Sequence, residues 1–490
     1  MAEQVFNPYL PEWEYVPDGE PHVFGDRVYV YGSHDRFGAP IFCVGDYVCW
    51  SAPVGDLTDW RCEGVIWRKG QDPCNRLGLR LLFAPDVVQG TDGRYYLYYA
   101  FDFMGTVGVA VCDEPAGQYE FLAHVSWPDG TRYGRTGHDG FGFDPGVLVD
   151  DDGRVYLYSG FRTHIPAIVT GCKRTYNDGG YMVELEPDMH TIVGEEHLLF
   201  PIDDTSVLPE GHTFFEASSI RKWDGTYFFV YSSEVNHELC YAVSDRPDGG
   251  FTYGGVLVSI GDVGLPGHAD EAHAVNYLGN THGGPLRVPA ADGTGSGGDG
   301  WDYYIFYHRQ TNRCSYARQA CAERLVRGED GRFLQAEVTS CGLNGGPLAG
   351  VGRYPARIAC NLWSREGAGR VDGDGVRRRL AAHPYLTQEG KGQAAQQYVA
   401  NLRDGAVAGY KYFDLRGTRH VALTVRGSGT GGFALGTDER MGQVLGTLSV
   451  RPSRAWARFE ADLEPGGDCD ALFLRYVGEG AVDLLELELS

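Results

Sequence analysis

Apolar and polar positions along the chain follow one recurring local pattern. A turn containing Asp or Gly leads into a run of aromatic and β-branched residues. The copies are Asp26-Arg27-Val28-Tyr29-Val30-Tyr31, Asp92-Gly93-Arg94-Tyr95-Tyr96-Leu97-Tyr98, Asp152-Gly153-Arg154-Val155-Tyr156-Leu157-Tyr158, Asp224-Gly225-Thr226-Tyr227-Phe228-Phe229-Val230-Tyr231 and Trp301-Asp302-Tyr303-Tyr304-Ile305-Phe306-Tyr307. Asp-Gly flanked by strand formers is a strong hairpin signal. An apolar strand precedes the copies, as in Pro21-His22-Val23-Phe24, Pro85-Asp86-Val87-Val88 and Pro145-Gly146-Val147-Leu148-Val149. More strands follow, as in Gly108-Val109-Ala110-Val111-Cys112 and Cys240-Tyr241-Ala242-Val243. Strand, hairpin, strand, strand is the grammar of a propeller blade, and a spacing of roughly 60–80 residues suits four-stranded blades with long loops. Five copies predict five blades. No amphipathic helical pattern of any length interrupts them.

The pattern changes toward the C-terminus. Residues 289–300 are Gly-rich and predict a surface loop. Residues 366–378, with Arg370-Val371-Asp372-Gly373-Asp374-Gly375, predict an inter-domain linker. Short strands then return, among them Lys411–Leu415, Val421–Val425, Ala457–Glu460 and Ala471–Tyr476. Their spacing predicts a small β-sandwich. The expected fold is all-β: a five-bladed β-propeller over residues 1–365, then a jelly-roll-like β-sandwich over 378–490.

Composition narrows the function classes. Gly accounts for 70 of the 490 residues and Tyr for 30, which suits many short strands joined by tight turns. The formal net charge is −24. Such a surface repels phosphate backbones and anionic membranes, so neither is an expected partner. No run approaches the ~20 apolar residues of a membrane span. The start, Met1-Ala2-Glu3-Gln4-Val5-Phe6-Asn7-Pro8, lacks the basic and apolar regions of a signal peptide. The 12 cysteines form no CxxC pair, and Cys49, Cys112 and Cys321 sit in strand-like runs. Free thiols and a cytoplasmic location are the expectation, or secretion where a leader has been removed.

Candidate chemistry resides in acids near the starts of the inner strands, whose side chains converge at one mouth of a propeller. These are Asp18 and Glu20 in Pro17-Asp18-Gly19-Glu20-Pro21, Asp86 in Phe83-Ala84-Pro85-Asp86, Asp144 in Phe143-Asp144-Pro145 and Glu216 in Phe214-Phe215-Glu216-Ala217. Aromatic surroundings disfavour ionisation and so keep a general acid protonated near neutral pH. Taken alone, each motif also fits a turn-forming or capping acid.

Over about residues 7–345 these segments resemble glycoside hydrolase family 43, five-bladed propeller enzymes acting on arabinan, arabinoxylan and xylan oligosaccharides. The resemblance implies an inverting hydrolysis with three acids. Asp144 matches the Asp that orients and tunes the acid, and Glu216 matches the general acid. Phe83-Ala84-Pro85-Asp86 matches a Trp-Ala-Pro-Asp segment with Phe in place of Trp, making Asp86 a supporting acid. The first-blade base departs from the family's Pro-Asp-Pro. Alignment on Pro17 gives Asp18 and alignment on Pro21 gives Glu20; the shorter Asp18 is preferred and Glu20 stays open. The resemblance also implies a calcium or other divalent ion on the axis at His282, a sugar or acid partner in Arg318, and sugar contacts from His22, Phe83, Asp86 and Phe143. Trp50 and Phe215 join the stacking candidates. No organic cofactor is expected.

The leading expectation is an exo-acting α-L-arabinofuranosidase on oligosaccharides, then a β-xylosidase. A galactofuranosidase or endo-arabinanase ranks lower, and a catalytically silent sugar-binding propeller is the non-enzyme alternative. The C-terminal segment resembles family 6 carbohydrate-binding modules in strand layout. Its Tyr385, Tyr410, Tyr412 and Trp456 are equally readable as core or as sugar-binding residues.

Overall fold

A computed structural model describes residues 4–102, 104–136, 139–162, 177–371 and 380–490. Four sheets of four antiparallel strands and one of three follow one another in sequence. Their first strands are Glu20–Phe24, Asp86–Gln89, Gly146–Val149, Phe214–Trp223 and Pro285–Pro289. Each second strand is one of the repeated aromatic runs: Arg27–Tyr31, Tyr95–Ala100, Val155–Gly160, Thr226–Ser233 and Trp301–Thr311. First strands of neighbouring sheets touch in the order fifth, first, second, third, fourth. They are the inner strands of a five-bladed propeller, as the hydropathy pattern predicts.

The aromatic runs have a physical reason. Successive strand residues face opposite sides of a sheet, and here both sides are covered by a neighbouring blade. Phe228 and Val230 pack with Tyr303, Ile305 and Tyr307 of the fifth blade. The alternate residues Tyr227, Phe229 and Tyr231 pack with Tyr156 and Tyr158 of the third. Tyr304 and Phe306 face the other way, onto Val28, Val30 and Trp50 of the first blade. Each such side chain buries enough area that truncation to Ala costs about 3–5 kcal/mol. The chain start completes the fifth blade: Tyr9 N–H bonds Ala320 O at 3.2 Å, and Asn7 Nδ2 bonds Ala322 O at 2.9 Å.

The remaining strands form two six-stranded sheets around one apolar core. This sandwich begins earlier than the sequence reading places it. Leu348–Ala349 and Asn361–Trp363 pair with Val407–Asp414, and Gly352–Pro355 pairs with Val482–Leu489. These three strands complete sandwich sheets, so the chain has left the propeller before residue 365. The proposed linker starts with residues bonded to the propeller: Val371 N–H to Leu278 O at 2.9 Å, and Leu278 N–H to Gly369 O at 3.0 Å. Its residues 372–378, and the 378–379 start of the expected sandwich, lie outside the described residues.

The two units meet at a polar seam. Lys411 Nζ reaches Asp262 Oδ2 at 3.0 Å and Glu337 Oε1 at 2.9 Å, with Lys411 and Asp262 almost fully buried. Arg309 donates to Ala359 O at 2.9 Å, and Gln397 Nε2 donates to Tyr15 OH at 2.7 Å. Tyr410 is fully buried and Tyr412 bonds Glu337 across the seam. Tyr385 lies under the Arg313 guanidinium, and Trp456 packs on Tyr398 and Arg426. Among the described residues all cysteines are free, and no helix is long and apolar enough to cross a membrane.

Candidate active site

The mouth at the entry ends of the inner strands is built from strained backbone. Asp18 and Asp144 have φ of 58° and 46°, a left-handed region that non-glycine residues visit rarely and Asp more readily than most. Ala217, just after Glu216, has φ 71°, and the pairing register shifts on both sides of Glu216. A bulge of this kind re-aims one side chain while the strand continues.

Asp18 is buried and held by an arginine and a histidine. Arg318 Nη1 donates to its Oδ1 at 2.8 Å, and His308 Nδ1 lies 3.3 Å from the same oxygen. Burial pushes the carboxyl up, but Arg318 and His308 outweigh it and hold Asp18 well below the usual carboxylate range. Arg318 is itself fixed by Asp35, from Nε at 2.8 Å and Nη2 at 3.1 Å.

Glu216 sits in the opposite field. Burial, and then the charge of Asp144, push its carboxyl up to about 8. Asp144 is raised too, mainly by burial, against the pull of His282 at 3.5 Å. His282 is buried, yet Asp144, Asp18 and Glu20 together raise its imidazole to about 9, so it carries a positive charge at neutral pH.

Glu20 belongs to a different set. Arg221 Nη2 donates to its Oε2 at 2.7 Å, and Ser219 Oγ donates to the same atom at 3.1 Å. Burial raises it to about 7 despite Arg221. Its Oε1 is buried without a hydrogen-bond partner.

Asp86 and His22, both expected as sugar contacts, bond each other. Asp86 is fully buried; His22 Nε2 meets its Oδ1 at 2.6 Å and Val147 N–H donates to its Oδ2 at 2.8 Å. Both oxygens are used to tie inner strands together, and His22 is turned onto Asp86 and stacked on Phe24. Trp50 lies in the core between blades, its Nε1 bonded to Glu14 at 3.2 Å. Phe143 and Phe161 are buried in an aromatic cluster against which Phe83 and Phe215 pack partly buried, with Phe83 and Phe143 ring centroids 5.2 Å apart and Phe143 and Phe161 4.8 Å apart.

Sequence reasoning missed Asp35, His308 and Arg221. Ser33-His34-Asp35 ends an aromatic run with an acid, but nothing in its spacing marks it as the partner of an arginine 283 positions away.

The residues around His282 fit a divalent ion only as a hydrated one. Calcium takes six to eight oxygens. Here Asp18 and Glu20 Oε2 are committed to arginines; Asp144 Oδ2 lies 3.5 Å from the imidazole, and Glu20 Oε1 is buried without a hydrogen-bond partner. Glu20, His22 and Asp86 also offer ligand atoms within 4.8 Å of one another.

Two carboxyls at one mouth, driven to opposite protonation states, are what hydrolysis of a glycosidic bond requires, and this propeller is a glycoside hydrolase. The match is to the model of the glycosyl hydrolases family 43, over residues 15–251. A protein of Thermoclostridium stercorarium named xylosidase/arabinosidase is 46% identical, covering 100% of this chain and 99% of its own. The chain belongs to family 43. An arabinoxylan arabinofuranohydrolase of Paenibacillus polymyxa is 23% identical over 96% of this chain and 71% of its own. The crystal structure of a family 43 arabinoxylan arabinofuranohydrolase from Bacillus subtilis, 20% identical, matches with a TM-score of 0.50 over 98% of this chain and 96% of that one. It shares the fold.

Proposed function

We propose that this hydrolase removes terminal pentosyl units from arabinan or arabinoxylan oligosaccharides with inversion, α-L-arabinofuranosyl first and β-D-xylosyl second. The observation that carries this reading is the opposed electrostatics of Asp18 and Glu216. Arg318 keeps Asp18 ionised, and burial with Asp144 keeps Glu216 protonated up to about pH 8. The names of the Thermoclostridium and Paenibacillus relatives support the pentose.

Asp18 is the base and Glu216 the acid. In an inverting enzyme the two flank the sugar at roughly 6.5–9.5 Å, leaving space for water. Asp18 removes a proton from that water, whose oxygen bonds to the anomeric carbon. The bond to the leaving oxygen breaks as Glu216 protonates it. Asp18 ends neutral and Glu216 charged, and proton exchange with solvent resets both. Arg318 and His308 position Asp18, Asp144 tunes Glu216, and Phe83 offers apolar surface to the sugar face.

His282 is the residue that would hold a divalent ion, with Glu20 Oε1 and waters. Such an ion would supply the positive charge that the imidazolium otherwise places beside Asp144, and loading it would release a proton.

The test is turnover of nitrophenyl α-L-arabinofuranoside, β-D-xyloside and β-D-galactofuranoside, with the product anomer followed by NMR. Release of an inverted pentose that stops in Glu216→Gln is expected. A retained anomer, or full activity in Glu216→Gln, would overturn the assignment.

A further inference from the structure

The fourth blade carries a second cluster of polar groups at its mouth end. Its strands Thr226–Ser233 and Leu239–Ser244 are joined by a tight turn through Asn236 and His237, at φ 58° and 48°. Ser233 pairs with Phe214 and Ser232 with Leu239, so the turn stands at the start of the inner strand that carries Glu216. Glu238 and Cys240 are two positions apart along the strand and share one face. The segment leading into the inner strand brings His212 to that face. It is held there by Tyr231 OH, which donates to His212 O at 2.6 Å, and by Glu234 N–H, which donates to Thr213 O at 3.0 Å. The His212 ring stacks on Tyr253, with centroids 5.4 Å apart and planes inclined by 20°.

Three side chains meet at one ring nitrogen. His212 Nδ1 lies 3.3 Å from Glu238 Oε2 and 3.7 Å from Cys240 Sγ, and the three ligand atoms are all within 4.8 Å of one another. Cys240 and Glu238 are buried, while His212 is partly exposed. Among the described residues no lysine or arginine pairs with Glu238, whose carboxylate meets only His212. A buried carboxylate without a cation is costly. One Nδ1 proton serves the carboxylate or the sulfur, not both in full. Nor is this a nucleophile–base–acid relay, which needs sulfur and carboxylate on opposite ring nitrogens. A metal cation shared by the three atoms satisfies all of them. The spacing is that of a tetrahedral ion: zinc bonds of about 2.05 Å to nitrogen, about 2.1 Å to oxygen and about 2.3 Å to sulfur set the nitrogen about 3.4 Å from the oxygen and about 3.6 Å from the sulfur. Thiolate, imidazole and carboxylate together suit zinc rather than calcium or magnesium, which take oxygen ligands. The other cysteine-bearing group, Asp72, Cys74 and His124, differs, because Arg132 Nη1 lies 3.0 Å from Cys74 Sγ and repels a metal.

We propose that His212, Glu238 and Cys240 bind a zinc ion, with a water as fourth ligand on the exposed side of His212. The thiol proton leaves to solvent as the zinc–sulfur bond forms. The ion bolts the turn at 234–238 to the segment entering the inner strand. Phe215 packs on His237 at 4.5 Å between ring centroids, and Glu216 pairs with Ser232, so the ion braces the backbone that presents Glu216. Its role is structural, and its ligands are separate from the acids that carry the hydrolysis.

The test strips the full chain with a chelator and titrates it with Zn²⁺ and with Co²⁺. The cobalt form is expected to show a thiolate-to-metal charge-transfer band that is lost in Cys240→Ser and kept in Cys74→Ser and His282→Asn. His212→Gln and Glu238→Gln should bind the metal at least about tenfold more weakly. In a His282→Asn background, which removes the axial candidate, zinc should raise Tm, and adding Cys240→Ser should abolish that rise. If Cys240→Ser does not fold, the affinities of His212→Gln and Glu238→Gln decide. No charge-transfer band in wild type, a band that survives Cys240→Ser, or wild-type affinity in both His212→Gln and Glu238→Gln overturns the proposal.

Discussion

Arg318 donates to Asp18 Oδ1 at 2.8 Å, joining two residues 300 positions apart at the mouth of the propeller. The same guanidinium is clamped on its other side by Asp35. It is at once the counter-charge that keeps Asp18 ionised and a strut between the first and last blades. Replacing it by Met removes the largest force that opposes burial of Asp18. The acid limb of the pH–kcat/KM profile should then move up by more than one unit, with kcat/KM down about 100-fold, a size ordinary for general base catalysis.

The two first-blade acids separate by variant. Asp18→Asn should lower kcat by about 1,000-fold or more and also lower Tm, because Arg318 loses a charged partner. Glu20→Gln, at a carboxyl whose burial already opposes ionisation, should keep kcat within about tenfold and not lower Tm at neutral pH. The reverse outcome, read by kinetics and thermal melts on the same samples, would make Glu20 the base.

The alkaline limb belongs to Glu216. Its carboxyl is raised to about 8, so activity should fall as pH rises through about 8. The sign for stability follows from the same shift. A folded-state value above the ordinary 4.5 means that folding disfavours ionisation, so stability is lost as pH rises from about 4.5 through about 8. Glu216→Gln should therefore raise Tm at pH 8, leave it unchanged near pH 4, and abolish turnover at both.

The seam is testable without touching the site. Lys411 and Asp262 are 3.0 Å apart and nearly inaccessible. Lys411→Met strands Asp262 in the interior and should cost about 3 kcal/mol, read by denaturant melts. If the two units act as one cooperative body, a single transition moves; a split into two transitions would show that the seam couples them only through this contact.

Removing the axial charge gives a further check. His282→Asn should allow Asp144 to attract a proton less strongly opposed, flattening the difference between the acids and lowering kcat by about 100-fold. Added calcium that restores activity to the variant, and chelator that abolishes it in wild type, would assign the positive charge to a metal rather than to the imidazolium.

Much of this was open to a reader of the chain alone. The five aromatic runs announce the blades because a strand covered on both faces by its neighbours must be apolar at every position, so architecture is written into local composition. Asp144 and Glu216 stand in segments whose order and flanking aromatics mark them. The partners that decide protonation were not legible. Arg318, Asp35 and Asp18 come from opposite ends of the propeller sequence, and Asp86 looks like any acid before a strand until both its oxygens are seen to be taken. The sandwich boundary was missed for a similar reason: the short strands from 348 to 363 acquire meaning only through edges that lie 44 or more residues ahead. Local pattern therefore determined the blades, the sandwich and the positions of the acids. Tertiary structure alone decided which carboxyl is held down and which is pushed up, because a carboxyl's charge state depends on burial and on cations a few ångströms away that ring closure brings from distant sequence.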